Sequence, residues 1–337
     1  MLTRRQILRG ALTAGAVSRV RTLLAQASQG TPARVPRWGP RQPATPVSFD
    51  VPPGACDCHT HIHGDPAKFP FFAGRVYTPE TALPEEMAVL HKALRIQRVV
   101  IVTPSVYGTD NSATLYGMEA RGRDARGVAV IDDKTPDGEL DAMGRAGVCG
   151  IRLNFGTASI NDPAVGRRLF QAATERVKGR AWHVQMNTDL TMIAALKDLV
   201  AVSPVPIVFD HFGGARAARG LQQPGFAELV GLVRSGKAYV KISGAYRVST
   251  LADYADVVPL AKALIAANPE RVVWGTDWPH PDPVTPPGRK PTDVTPLLRI
   301  DDGRLLNQLV VWAPDPEVRR TILMDNPARL YAFPPIW

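Results

Sequence analysis

The chain has 337 residues, 45% of them hydrophobic and 21% charged, with a mean hydropathy of -0.08. These are ordinary globular proportions, and they exclude a disordered, collagen-like or coiled-coil protein. The formal charge of +9 suggests a nucleic-acid partner until it is located: residues 1–49 hold eight arginines (Arg4, Arg5, Arg9, Arg19, Arg21, Arg34, Arg37 and Arg41) and no acid. Without them the chain has 32 basic and 31 acidic residues, so no nucleic-acid face is expected. Three cysteines give no disulfide framework. No uninterrupted apolar run reaches the roughly 18 residues of a stable membrane span.

The N-terminus reads as an address. Thr3-Arg4-Arg5-Gln6-Ile7-Leu8-Arg9 is a twin-arginine pattern, an apolar stretch follows from Gly10 to Val17, and Ala25 and Ala27 are small residues of the kind a signal peptidase reads. Residues 1–27 are therefore expected to be a signal peptide, with the twin-arginine export machinery as partner and the periplasm as destination. Residues 31–53 hold seven prolines, so 28–53 reads as an extended leader. That leaves 54–337 as the folded unit.

From Ala55 onward, short β-branched runs alternate with longer amphipathic segments. Strands are predicted at Ala55–His61, Arg98–Thr103, Gly127–Ile131, Gly150–Phe155, Ala181–Asn187, Pro206–His211, Ala238–Ser243 and Val272–Asp277. Helical patterns fall between them at Pro84–Leu94, Pro163–Val177, Thr191–Val202, Phe226–Val233 and Tyr254–Ala267. Such alternation implies a parallel sheet covered by helices, and eight repeats imply a closed (β/α)8 TIM barrel. A doubly wound sheet is the alternative, but the glycine-rich dinucleotide fingerprint is missing after the first strand.

A barrel of this kind builds its active site at the C-terminal ends of its strands. Read in order, those ends carry His59 and His61, Ser105, Arg152 and Asn154, Gln185 and Asn187, His211, Ser243 and Asp277. Period-2 alternation puts Asp57, His59 and His61 on one face of the first strand, and Cys56, Cys58 and Thr60 on the other. By that parity the two cysteines face the helices and read as packing residues; Cys149 also reads as a packing residue. His-x-His at a strand end suits a divalent metal or a polarised carbonyl. Asp277, at the last strand end, is placed to be a general base. His183 lies early on its strand and reads as core; His91, in a helix, reads as a surface residue.

The motifs Asp57-Cys58-His59-Thr60-His61, Gly108-Thr109-Asp110-Asn111, Gly150-Ile151-Arg152-Leu153-Asn154-Phe155, Asp210-His211 and Trp274-Gly275-Thr276-Asp277-Trp278-Pro279-His280 resemble the amidohydrolase superfamily. The similarity is to its branch of 2-pyrone-4,6-dicarboxylate lactonases and D-galactarolactone isomerases, and runs from about Pro53 to Tyr331. It implies a metal-independent reaction in which His59, His61 and His211 polarise a lactone carbonyl and Asp277 takes a proton from water. It also implies that Ser105, Arg152, Arg247 and Tyr77 contact a substrate carboxylate. Two departures stand out: a second family arginine falls near Ala158, and a strand-five tyrosine is replaced by Asn187. A dicarboxylate clamp has thus lost one arm. Metal-dependent members carry a histidine at the end of strand five, where this chain has Gln185 or Asn187. His59, His61, His211 and Asp277 would be the ligands if a divalent ion such as zinc or manganese were held weakly; the ligand count argues against an obligatory one.

The expected protein is thus an exported hydrolase that opens a small anionic lactone and requires no cofactor. The alternatives are a lactone isomerase, a metal-dependent amidohydrolase or decarboxylase, and a periplasmic binding protein without turnover.

Overall fold

The computed structural model describes residues 43–283 and 288–335. The predicted signal peptide, 1–27, and the leader as far as residue 42 lie outside the described residues. Among the described residues, eight strands form the main sheet: β1 (Cys56–Thr60), β2 (Arg98–Val102), β3 (Ala125–Ala129), β4 (Val148–Asn154), β5 (His183–Asn187), β6 (Ile207–Phe209), β7 (Ala238–Ser243) and β8 (Val272–Gly275). All pair in parallel and in chain order. Past the last strand, Thr60 bridges Trp278; Asp277 N–H donates to His59 O and His61 N–H to Trp278 O, both at 2.8 Å. These bonds bring the two ends of the sheet together, giving the (β/α)8 barrel.

The outer helices are α1 (Pro84–Leu94), α2 (Ser112–Arg121), α3 (Asp137–Arg145), α4 (Pro163–Val177), α5 (Leu190–Ala201), α6 (Phe226–Arg234), α7 (Val258–Ala267) and α8 (Asp302–Trp312). Their starts are written locally. Asp162 caps α4 by accepting from Ala164 N–H, with Pro163 at the first helical position, and Asp189 caps α5 by accepting from Met192 N–H. On α4, Phe170, Ala173, Thr174 and Val177 recur at helical spacing and are buried.

Alternate residues of each strand feed two cores. Val99 and Ile101 pack outward against Leu90 and Leu94 of α1. Val100, Val102, Val128, Val208 and Val273 fill the barrel interior with Tyr331 and Phe333. Those last two close the N-terminal end: Arg126 on β3 donates to Tyr331 O, and the Arg98 guanidinium at the start of β2 lies 5.0 Å from the Phe333 ring.

The structure corrects three expectations. Cys56 and Cys58 pack inside the barrel with Val100, Val102 and Tyr331, not against the helices. A register shift between Asp57 and Thr60 breaks the period-2 alternation, so Asp57 points outward while His59 points in. His91 is fully buried rather than at the surface, with Nε2 3.2 Å from Asp57 Oδ2. It lies on the same face of α1 as Met87, Leu90 and Leu94, which helical spacing alone would have placed inward. β3 starts and ends two residues early; past its end Asn111 takes the place of a neighbouring strand at Val130, its Oδ1 accepting from Val130 N–H and its Nδ2 donating to Val130 O.

The described part of the leader, residues 43–53, contains neither helix nor strand. It runs against the start of α8, where Thr45 donates through N–H and Oγ1 to the Asp301 carboxylate and Ser48 donates to Asn307 Oδ1.

Candidate active site

The C-terminal strand ends bring three imidazoles onto one carboxylate oxygen. His59 Nε2 and His61 Nε2 each lie 3.6 Å from Asp277 Oδ1, and His211 Nε2 lies 3.9 Å from it. The ring centroids of His59 and His61 are 5.0 Å apart, those of His59 and His211 4.7 Å. The backbone bends sharply to place them. Asp277 adopts φ 66° and His211 φ 47°, left-handed conformations that non-glycine residues seldom hold. Gly244, at φ 58°, lies where a Cβ would meet His211 Nδ1 at 3.2 Å and Asp277 Oδ2 at 3.3 Å. Gly275 is as constrained, since its Cβ would stand 2.7 Å from His59 N.

The other oxygen of Asp277 is engaged. Tyr246 Oη donates to Oδ2 at 2.6 Å, and Arg247 Nε donates to the same atom. Burial alone would push the Asp277 carboxyl up; Arg247, and after it His211, instead hold it well below the usual range. All three histidines are lowered, chiefly by burial. His59 goes well below its ordinary value against the pull of Asp210, His61 is lowered against its contact with Asp277, and His211 falls to about 4. At neutral pH the centre holds an ionised carboxylate and neutral rings.

The rings are not equivalent. His61 Nδ1 is 2.7 Å from Val102 O, and a carbonyl can only accept, so Nδ1 carries the hydrogen and the neutral ring offers a lone pair at Nε2. His211 Nδ1 faces Ser243 Oγ at 3.0 Å.

A second, buried layer lies beneath; sequence reasoning named Arg152 and Gln185 but gave no role to Asp210 or Lys241. Asp210 Oδ2 accepts from Arg152 Nε at 3.0 Å and from Gln185 Nε2 at 3.1 Å. Lys241 Nζ stands 3.6 Å from Asp210 Oδ1. Burial would raise the Asp210 carboxyl, but His59, Arg152 and Lys241 bring it well below the usual range. Two signals were available: Lys241 interrupts the apolar run Tyr239-Val240-Lys241-Ile242, and Asp210 directly precedes a site histidine. Tyr246 carried no such signal.

Above these groups opens a cavity of about 430 Å³. Of the sequence-predicted residues, His61, Tyr77, Ser105, Arg152, Asn187, His211, Arg247 and Asp277 line it. His59 lies behind them, fully buried. Asn187 Nδ2 donates to Thr157 Oγ1 at 3.2 Å. His183 lies apart, buried against Tyr331, their ring centroids 5.3 Å apart.

Ligand atoms of His59, His61 and Asp277 lie within 4.8 Å of one another, as do those of His59, Asp210 and His211. His59 Nε2 and Asp277 Oδ1 are buried polar atoms without a hydrogen-bond partner, a set that a divalent cation would suit in geometry. The electrostatics oppose it. Arg247 and Tyr246 occupy the other Asp277 oxygen, Arg152 and Lys241 bracket Asp210, and β5 presents the neutral amides of Gln185 and Asn187.

Residues 56–333 match the amidohydrolase family profile. The chain is 37% identical over 296 residues to the 4-sulfomuconolactone hydrolase of Hydrogenophaga intermedia, covering 87% of this chain and 93% of that protein. It is 33% identical to the 2-pyrone-4,6-dicarboxylate hydrolase of Comamonas testosteroni, over 84% of this chain and 92% of the relative. With the D-galactarolactone isomerase of Agrobacterium fabrum the identity is 30%, over 85% and 93%. Among solved structures, an apo crystal structure from Agrobacterium tumefaciens superposes with a TM-score of 0.72 at 28% identity, over 86% of this chain and all of the other.

Proposed function

This chain belongs to the amidohydrolase family, and from that membership we propose that it is a hydrolase that opens a small anionic lactone. The observation that carries the proposal is the convergence of His59, His61 and His211 on Oδ1 of the buried Asp277, at the wall of a cavity that also exposes Arg152 and Arg247. The relatives named above as lactone hydrolases support the substrate class.

In this reading, Arg152, Arg247, Ser105, Tyr77 and Asn187 bind the substrate's anionic group, for which arginine forks are suited. Imidazoles that carry their hydrogen on Nε2 stabilise charge on the carbonyl oxygen as water attacks the carbon; His61, with a lone pair at Nε2, stands beside Asp277 instead. Asp277 takes the proton of that water and returns it to the ring oxygen as the acyl C–O bond breaks, leaving a hydroxy acid. The same centre serves an isomerase if a substrate hydroxyl replaces water, the reaction type in the name of the Agrobacterium fabrum relative. The reaction is proposed to need no obligatory metal, on the strength of the surrounding cations. An ion held by His59, His61 and Asp277 would act as a Lewis acid at the same carbonyl.

The test is a panel of anionic lactones with products followed by mass. Hydrolysis adds one water, isomerisation leaves the mass unchanged, and a ligand recovered intact after tight binding marks a binding protein. Asp277→Asn should lower kcat by about 10²–10⁴-fold with the fold retained. Activity lost on chelation together with bound metal, and restored by zinc or manganese, would overturn the metal-free reading.

A further inference from the structure

The proposed chemistry leaves Lys241, inside the barrel, unused. It is fully buried in the middle of β7, where an ammonium is costly unless each of its hydrogens finds an acceptor. Three acceptors surround Nζ: Gln185 Oε1 at 2.6 Å, Cys58 O at 2.8 Å and His59 Nδ1 at 3.3 Å. Asp210 Oδ1 also approaches His59 Nδ1, at 3.2 Å, yet that oxygen has no hydrogen-bond partner. Of the two contacts only the one with Lys241 has hydrogen-bond geometry, and the tautomer of the ring sets which atom of that pair donates. Two residues along, on the same inward face of β7, Ser243 Oγ stands 3.0 Å from Nδ1 of His211. His61 differs: its Nδ1 faces a backbone carbonyl.

We propose that Lys241 and Ser243 are positioning residues that set the tautomers of His59 and His211. Each donates to a ring Nδ1, so each ring carries its hydrogen on Nε2, which points into the centre beside Asp277 Oδ1. His61, donating from Nδ1 to Val102 O, presents an acceptor beside Asp277. The centre thus divides into two donors, where the carbonyl oxygen gains charge, and two acceptors, where water loses a proton. Period-2 spacing along one strand produces the first pair. The inference rests on the proposed lactone reading for its chemical meaning, but the tautomers can be read without substrate.

The test is long-range ¹H–¹⁵N spectroscopy of the full-length protein labelled at its seven histidines, near pH 7.5, with rings assigned by single histidine-to-glutamine variants. His59 and His211 should carry hydrogen on Nε2 and His61 on Nδ1. Lys241→Met should move the His59 hydrogen to Nδ1, toward Asp210, and lower kcat about tenfold or more while KM changes little. Ser243→Ala should give His211 a measurable Nδ1-protonated fraction, and Ser243→Thr, which keeps the hydroxyl, should restore the original state. If Lys241→Met does not fold, the serine pair and the wild-type spectrum carry the test. A wild-type His59 protonated at Nδ1, as in a ring ligating metal through Nε2, overturns the assignment. So does an unmoved His211 in Ser243→Ala, or an unchanged kcat in folded Lys241→Met. Those results leave lactone opening standing, whereas the expected tautomers without any lactone turnover would remove that reading alone.

Discussion

Arg247 Nε donates to Oδ2 of Asp277, which leaves Oδ1 of the same carboxylate facing the rings of His59, His61 and His211. One guanidinium both neutralises the buried acid and orients it, and it also lines the cavity where an anionic substrate would sit. Its removal should therefore be visible in a pH profile and not only in binding.

In Arg247→Met, burial is no longer opposed by its strongest counterweight, so the Asp277 carboxyl should titrate at higher pH. A general base is active above its pKa. In the wild type it stays ionised far into acid; in the variant, the loss of kcat/KM on acidification should begin at a higher pH. Profiles of the two proteins on one lactone check this. An acid limb that does not move would separate Arg247 from the ionisation of Asp277.

Arg152→Met should act twice. Arg152 lines the cavity, so KM for an anionic lactone should rise. Its Nε and Nη2 both stand 3.0 Å from Oδ2 of the fully buried Asp210, so unfolding stability should also fall, by up to about 3–5 kcal/mol. Steady-state kinetics and urea unfolding separate the two effects. A KM that stays constant while kcat collapses would assign Arg152 to the chemistry instead.

Asp57 lies outside the cavity and is predicted to matter through β1 and β8. Its Oδ1 accepts from the N–H groups of His59 and Thr276, at 3.1 and 3.0 Å, and its Oδ2 from Thr276 Oγ1 and His91 Nε2. Asp57→Ala strands two buried backbone donors, each costing about 1–3 kcal/mol. The urea midpoint should fall accordingly, and kcat should fall with it because His59 and Asp277 adjoin those donors. Wild-type stability in the variant would show that the seam between β1 and β8 holds without the carboxylate.

Export is tested apart from the barrel. Replacing Arg4 and Arg5 by lysine should leave full-length precursor in the cytoplasm, because the paired arginines are what the twin-arginine machinery reads. Fractionation followed by immunoblotting measures it, and normal periplasmic recovery of the double variant would end the export reading.

The sequence alone determined the eight-fold alternation and the residues standing at the strand ends, because both are short-range. A β-branched run is visible within five residues, and a barrel's active end follows from strand direction. His59, His61, His211 and Asp277 were legible for that reason. The tertiary structure decided how those residues are held. The inward turn of His59 and the outward turn of Asp57 depend on a register shift in β1 that parity cannot foresee. The pairing of Lys241 with His59 spans 182 residues, and that of Thr276 with Asp57 spans 219. Contacts of that separation exist only once the barrel closes, and burial then turns an unremarkable lysine, aspartate or helix histidine into a group that must find a partner.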